Sequence, residues 1–353
     1  MFDDVLSVLT AAASAFLIGL ALTPVITHYL YSHKAWKKTP GKRALGGETA
    51  HEFNRLHSAN EVRAPRMGGI IIWASVFITI MLLAFITKVF PDVAPFEFNF
   101  LSRAQTWIPL AALMIGAFVG LADELLVIRP GGEGIQLRYR LGLVFILSLA
   151  TGWWFWAKLG VVAVSIPFAA PLYLGWLIVP LFVFVALCVY ASGVIDGIDG
   201  LSGGVFSSIF AAYAIIAFMQ GQTDLSAFCA AIVGGTIAFL WFNVPPARFY
   251  MSDTGTMALT LALAVVAFMT DQIGGGIGIA DLPLIGGLLV ITVLSNVLQI
   301  CWKKIFHKKL MRIAPLHHHF EAIGWPGSKV VMRYWILSVV LAFSGVLLAV
   351  LSY

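Results

Sequence analysis

Apolar positions in this chain do not alternate or recur at the spacing of one helix face. They run on for about twenty residues at a time, ten times over. A helix rising 1.5 Å per residue needs about that length to cross a hydrocarbon layer ~30 Å thick. The pattern predicts spans near residues 5–31, 68–87, 106–128, 141–156, 173–192, 201–219, 226–243, 255–270, 282–302 and 332–353. The fourth is the shortest, and residues 161–171 after it read as a short hairpin or re-entrant piece. No internal repeat and no separate soluble block interrupts the series. Residues 1–353 are therefore expected to form one domain, an all-α polytopic membrane protein whose site is built from loops and span ends.

Composition agrees. Hydrophobic residues make up 60% and charged residues 11%, where a soluble domain is nearer half and a quarter. Mean hydropathy is +0.93. The first run lacks a basic leader and a small-residue cleavage site, so it is expected to be a retained span. Cys188, Cys229 and Cys301 lie inside apolar runs without metal-ligand spacing, which suggests packing roles.

Charge sets the orientation. The loops after spans 1, 3, 5, 7 and 9 hold 8, 3, 0, 1 and 7 Lys and Arg residues, and only Lys88, Arg103 and Lys158 lie on the other side. Basic loops mark the cytoplasmic face, so both termini are expected to be extracytoplasmic. All eight histidines fall on the basic side, with Asp123, Glu124, Asp196, Asp199 and Asp253. That clustering was not used to set the orientation. It points to a cytoplasmic-face site for a polyanionic substrate.

Four segments carry candidate chemistry. Asp196-Gly197-Ile198-Asp199-Gly200-Leu201 places two carboxylates three apart, each followed by glycine. At a helix start both lie on one face, and the glycines let backbone approach a ligand; a helix cap is the plain alternative. Asn243 to Gly255 links spans 7 and 8. Asp253 in it either caps the next helix or holds a divalent ion that bridges phosphate oxygens, as Mg²⁺ does with one or two carboxylates. Tyr250 suits stacking on a base or an interfacial belt. Asp123 and Glu124 end span 3, and neighbours on a helix point apart, so one is expected to face the site and the other solvent. Arg312 to Glu321 contains His317, His318 and His319. Adjacent histidines with no nearby cysteine do not suit zinc. Donation to phosphate or sugar oxygens suits them better, with Lys308, Lys309 and Arg312 either helping or facing lipid headgroups. The loop 32–67 is long and basic, and Trp36 suggests a segment lying on the membrane.

Taken together, Ala314-Pro315-Leu316-His317-His318-His319-Phe320-Glu321 with Gly324-Trp325-Pro326, the Asn243–Gly255 region, Asp196-Gly197-Ile198-Asp199-Gly200-Leu201 and Pro65-Arg66-Met67-Gly68-Gly69 resemble the phospho-N-acetylmuramoyl-pentapeptide branch of the polyprenyl-phosphate N-acetylhexosamine-1-phosphate transferase superfamily. The resemblance covers essentially the whole chain. It implies transfer of phospho-MurNAc-pentapeptide from UDP-MurNAc-pentapeptide to undecaprenyl phosphate, with Mg²⁺, giving lipid I and UMP in the bacterial inner membrane. It implies a homodimer and no nucleic-acid partner. By position it makes Asp253 the Mg²⁺ ligand and has Asp123 activate the lipid phosphate or help place the ion. His317 joins Asp123, Glu124 and Asp253 as catalytic. Asp196, Asp199, Asn243, Tyr250, His318, His319 and Arg66 become substrate-binding.

Five positions depart from the family motifs. Glu124 stands where the family has a second aspartate, Val127 where it has lysine, Gly193 asparagine, Arg66 threonine and Ser252 glycine. Arg63, Arg66 and Arg129 are candidates to replace the lysine. The departures leave two other readings open: a related transferase using another UDP-sugar, and a non-catalytic nucleotide- or lipid-binding derivative. A transporter is disfavoured because no charge sits near the middle of a span.

Overall fold

The computed structural model describes residues 2–38, 41, 54–55, 62, 64–90, 99–102 and 105–352. Arg63 and most of the basic loop before it lie outside the described residues. Among the described residues there are twelve α-helices and one β-hairpin. In chain order they are α1 (Phe2–Ser32), α2 (Ile70–Val89), α3 (Trp107–Val127), α4 (Leu137–Ala157), β1 (Ala163–Ile166), β2 (Ala169–Tyr173), α5 (Ile178–Ala191), α6 (Leu201–Met219), α7 (Thr223–Asn243), α8 (Ser252–Phe268), α9 (Gly278–Ile285), α10 (Gly287–Phe306), α11 (Leu316–Ala322) and α12 (Gly327–Ser352). Ten helical segments are long and apolar enough to cross a membrane, and they match the ten predicted runs.

Two corrections follow. The ninth span does not begin at Leu282. Residues 282–285 close the short helix α9, and the spanning helix starts after Gly286. The uninterrupted apolar run hid a helix break that only the glycine pair Gly286-Gly287 marks. Residues 163–173 form an antiparallel hairpin, one of the two forms expected of that stretch. Finally, of the three cysteines only Cys229 is buried, so a packing role fits that residue alone.

α8 is the axis of the bundle. Thirteen consecutive residues from Thr256 to Phe268 are buried in it. α3 lies along it, with α5 and α6 also in contact. α6 and α7 pack against each other and are also largely buried. α1, α4, α10 and α12 form the rim, with large apolar side chains such as Leu17, Ile146, Leu298 and Phe343 exposed, as a lipid-facing surface requires.

Close helix approach depends on two glycines. A Cβ built on Gly116 would lie 2.4 Å from the Met257 carbonyl oxygen, and one on Gly120 would lie 2.2 Å from that of Asp253. One face of α3 therefore lies directly against the α8 backbone, as small residues four apart allow. One turn beyond Gly120 the same face carries Asp123. At the opposite end of α8 the chain makes a π-helical turn, Met269–Ile273. There Asp271 accepts the Ser165 and Ile279 N–H groups at 2.9 and 3.0 Å, and Gln272 accepts those of Val162 and Ala163. These bonds hold the hairpin against the bundle.

Gly120→Leu is expected to separate α3 from α8. The variant should lose thermal stability in detergent, at the scale of about 1–3 kcal/mol typical of overpacking. Gly142→Leu, where an added side chain meets open space, should melt with the parent protein. Asp281 on α9 is fully buried, and among the described residues neither carboxylate oxygen has a hydrogen-bond partner. Burial pushes its carboxyl up to about 7, above the ~3.9 of an unfolded chain. The folded state then binds the proton more tightly, so stability should fall as pH rises from about 4 to about 7. Melting curves across that range should show the fall, and Asp281→Asn should flatten it.

Candidate active site

The last turn of α3 carries the acids and the first turn of α8 meets them. Asp123 Oδ1 accepts the Ile135 N–H at 2.5 Å, and its Oδ2 accepts Arg140 Nη1 at 3.3 Å. The same Arg140 nitrogen donates to Asp253 Oδ2 at 2.5 Å. Glu124 accepts Arg66 Nε and Nη2 at 2.5 and 2.8 Å, and its Oε1 also accepts the Asp253 N–H at 3.3 Å. Side-chain exposure is 3% for Asp123, 0% for Glu124 and 33% for Asp253, so Asp253 is the carboxylate that opens outward. The expectation that one acid of the Asp123–Glu124 pair faces solvent is overturned. Both are buried: the 64–69 segment and the start of α8 enclose Glu124, and Arg140 covers Asp123.

One ligand oxygen from each of Asp123, Glu124 and Asp253 lies within 4.8 Å of the others. An all-carboxylate set of this size suits a hard cation such as Mg²⁺. Glu124 is bound at both oxygens by the buried Arg66 fork, whereas Asp123 and Asp253 share Arg140, with Asp123 Oδ2 at 3.3 Å from it, which leaves these two as the carboxylates better suited to an ion. Loss of hydration alone would lower the Arg66 pKa. The adjoining Glu124 outweighs it and, with Asp253 and Asp196, raises the value, so the guanidinium stays charged.

The segment carrying Arg66 is zipped to the segment before α8. Tyr250 N–H donates to Pro65, Gly68 N–H to Tyr250 and Gly69 N–H to Met251. Met67 N–H donates to Ser252 Oγ at 2.8 Å. Gly69 lies against Gly255, where an added Cβ would come within 2.5 Å of the Gly255 Cα.

Asp196 joins the other half of the site to this one. Its Oδ1 accepts Ser202 Oγ at 2.7 Å and its Oδ2 accepts the Ser252 N–H at 2.8 Å. Burial raises its pKa above the usual carboxylate value, against these bonds and Arg66. Asp199 accepts the Ala247 N–H at 3.0 Å. Gly197, between the two, is where the histidine motif docks. An added Cβ there would lie 2.4 Å from His318 Nε2 and 2.7 Å from His317 Nε2. His317 and His318 are buried, and His318 Nδ1 pairs with Glu321 at 2.8 Å. A continuous path of contacts thus runs from His317 and His318 through Gly197, Asp196 and Ser252 to Asp253.

Not every candidate converges. His319 turns the other way, its Nδ1 accepting the Arg312 N–H at 3.2 Å. Asn243 acts as a staple. Its side chain donates to the Phe249 carbonyl at 2.8 Å and accepts the Gly200 N–H at 2.9 Å, tying the end of α7 to both neighbouring loops. Tyr250 contributes its backbone to the zipped segment. Of the proposed substitutes for the family lysine, Arg129 is exposed, and Val127 itself packs near Gly134. Arg140, which bridges Asp123 and Asp253, was missed. Its only sequence signal was a cation near the start of an otherwise apolar helix.

A family model described as glycosyl transferase family 4 matches residues 106–271. That stretch holds Asp123, Glu124, Arg140, Asp196, Asp199 and Asp253 but not the histidines. The chain is 31% identical to a phospho-N-acetylmuramoyl-pentapeptide-transferase of Gluconacetobacter diazotrophicus over 359 residues, covering 95% of this chain and 91% of the relative. It is 30% identical to the proteins of that name from Bacillus thuringiensis and Bacillus cytotoxicus, each covering 97% of this chain and 98% of the relative. With that identity sustained over nearly its whole length, the chain belongs to the phospho-N-acetylmuramoyl-pentapeptide-transferase family.

Proposed function

We propose that this chain transfers phospho-MurNAc-pentapeptide from UDP-MurNAc-pentapeptide to undecaprenyl phosphate, forming lipid I and releasing UMP at the cytoplasmic face of the bacterial inner membrane. The observation that carries this reading is the unbroken path from the acids of α3 and α8 to the histidine motif at one end of a ten-span bundle. The Lys and Arg distribution supports the cytoplasmic assignment of that end.

The chemistry asks little of a general base. A lipid-phosphate oxygen is already ionised near pH 7. It attacks the sugar-linked phosphorus of the donor, a new P–O bond forms, and the bridging bond to the uridine-linked phosphate breaks with its electrons leaving on UMP. What must be supplied is alignment and neutralisation of clustered negative charge. Asp123 and Asp253 would hold Mg²⁺, which when bound would neutralise the diphosphate. Arg140 sets the two carboxylates relative to each other and adds positive charge beside them. Asp196 positions the turn before Asp253 and, with Asp199, frames the Gly197 backbone that faces His317 and His318. His317 and His318 would donate to donor oxygens.

Purified protein in detergent, given both substrates, should release UMP only with Mg²⁺, and Asp253→Ala should lower the rate at least about 100-fold, equivalent to about 2.7 kcal/mol of transition-state stabilisation. Absent turnover with donor binding intact would favour the non-catalytic derivative, and preference for another UDP-sugar in competition would favour the related transferase. Arg140→Met should split the kinetics. With its competing cation gone, half-saturation by Mg²⁺ should move to lower concentration while the maximal rate drops about tenfold or more. Unchanged values for both would remove Arg140 from the site.

A further inference from the structure

Three of the five departures from the family motifs, Arg66, Glu124 and Ser252, form one connected cluster. Arg66 gives Glu124 a two-pronged ion pair at 2.5 and 2.8 Å. Glu124 Oε1 also accepts the N–H of Asp253. Ser252, immediately before Asp253, accepts the N–H of Met67, immediately after Arg66. The N–H of Ser252 in turn holds Asp196. Met67 and Ser252 have φ of 69° and 52°, a left-handed backbone that side-chain-bearing residues rarely adopt. The Ser252 hydroxyl on Met67 N–H links these two turns directly.

We infer that Arg66 and Glu124 are a coupled replacement, fastened by Ser252, that positions Asp253, and that Glu124 is a positioning residue and not a metal ligand. This rests on the reading above in one respect, that Asp253 is the group being positioned. The physical argument is mutual dependence. With threonine at position 66, fully buried Glu124 would lose its counter-charge, and removing one partner of a buried pair is far costlier than replacing both. With aspartate at position 124 the carboxylate would be one methylene shorter and unable to reach both the Arg66 fork and the Asp253 N–H. Each family residue is therefore a poor fit to this chain's residue at the other position, while the two changes made together remove the conflict. An ion at Asp123 and Asp253 would compete with Arg140, which those two share, and not with the Arg66 fork on Glu124. Glu124 is committed to holding Asp253 in register.

The test is a double-mutant cycle on the full-length protein in detergent, with Arg66→Thr, Glu124→Asp and the two combined. Mn²⁺ affinity is followed by electron paramagnetic resonance, beside the thermal midpoint and Mg²⁺-dependent UMP release. Each single variant should weaken Mn²⁺ binding about tenfold or more, and the combined variant should recover at least half of that loss on a logarithmic scale. Arg66→Lys, which keeps the charge and loses the fork, should fall between the parent and Arg66→Thr. Additive losses in the double variant, or unchanged Mn²⁺ affinity in every folded single variant, would overturn the inference; the latter is what a purely structural pair would give. If Arg66→Thr fails to fold, recovery of folded protein in the double variant reads the same coupling, and failure of both overturns it. Mn²⁺ binding does not depend on turnover. A parent protein that binds Mn²⁺ without releasing UMP would count against the proposed reaction and leave the coupling readable.

Discussion

How near α3 can come to α8 governs the rest of this structure. Gly116 and Gly120 put one face of α3 against the α8 backbone. Two helices meeting at that distance bring their ends together, so the carboxylates of the last turn of α3 meet the first turn of α8. A larger residue at either position would move Asp123 away from Asp253 by the width of a side chain. The site is thus set by packing within the bundle's interior as much as by the polar residues that line it.

The acids placed there cannot remain as bare charges, because ionised carboxylates removed from water are costly unless paired. Each has been given partners from a different part of the chain. Arg140, from the first turn of α4, spans Asp123 and Asp253. Arg66, from the segment before α2, neutralises Glu124. Backbone N–H groups of Ile135, Ser252 and Asp253 go to Asp123, Asp196 and Glu124 respectively. These same bonds tie the loops to the helix ends, so charge compensation and loop placement are one constraint. It also joins Arg66, Glu124 and Ser252 in one connected cluster around Asp253.

The opposite end of the bundle answers the same difficulty differently. Asp271 is satisfied by two backbone N–H groups and holds the hairpin. Asp281 has no such partners among the described residues and instead keeps its proton more tightly, its carboxyl raised to about 7 by burial.

Taken alone, the amino-acid sequence determined the membrane class, the number of spans and most of their limits. Hydrocarbon thickness demands about twenty apolar residues in succession, and that demand is written locally. It also pointed to Asp123, Asp196, Asp253 and the histidines, since ionisable groups at span ends stand out against an apolar background. It did not show that α9 and α10 are separate, because an apolar run conceals a break between two apolar helices. Nor did it show that Glu124 is buried and paired, that His319 turns away from His317 and His318, that Asn243 staples loops, or that Arg140 bridges two acids 17 and 113 residues distant. Those outcomes depend on which helices pack together and how closely, and contacts between residues far apart in the chain are decided by shape and charge in three dimensions.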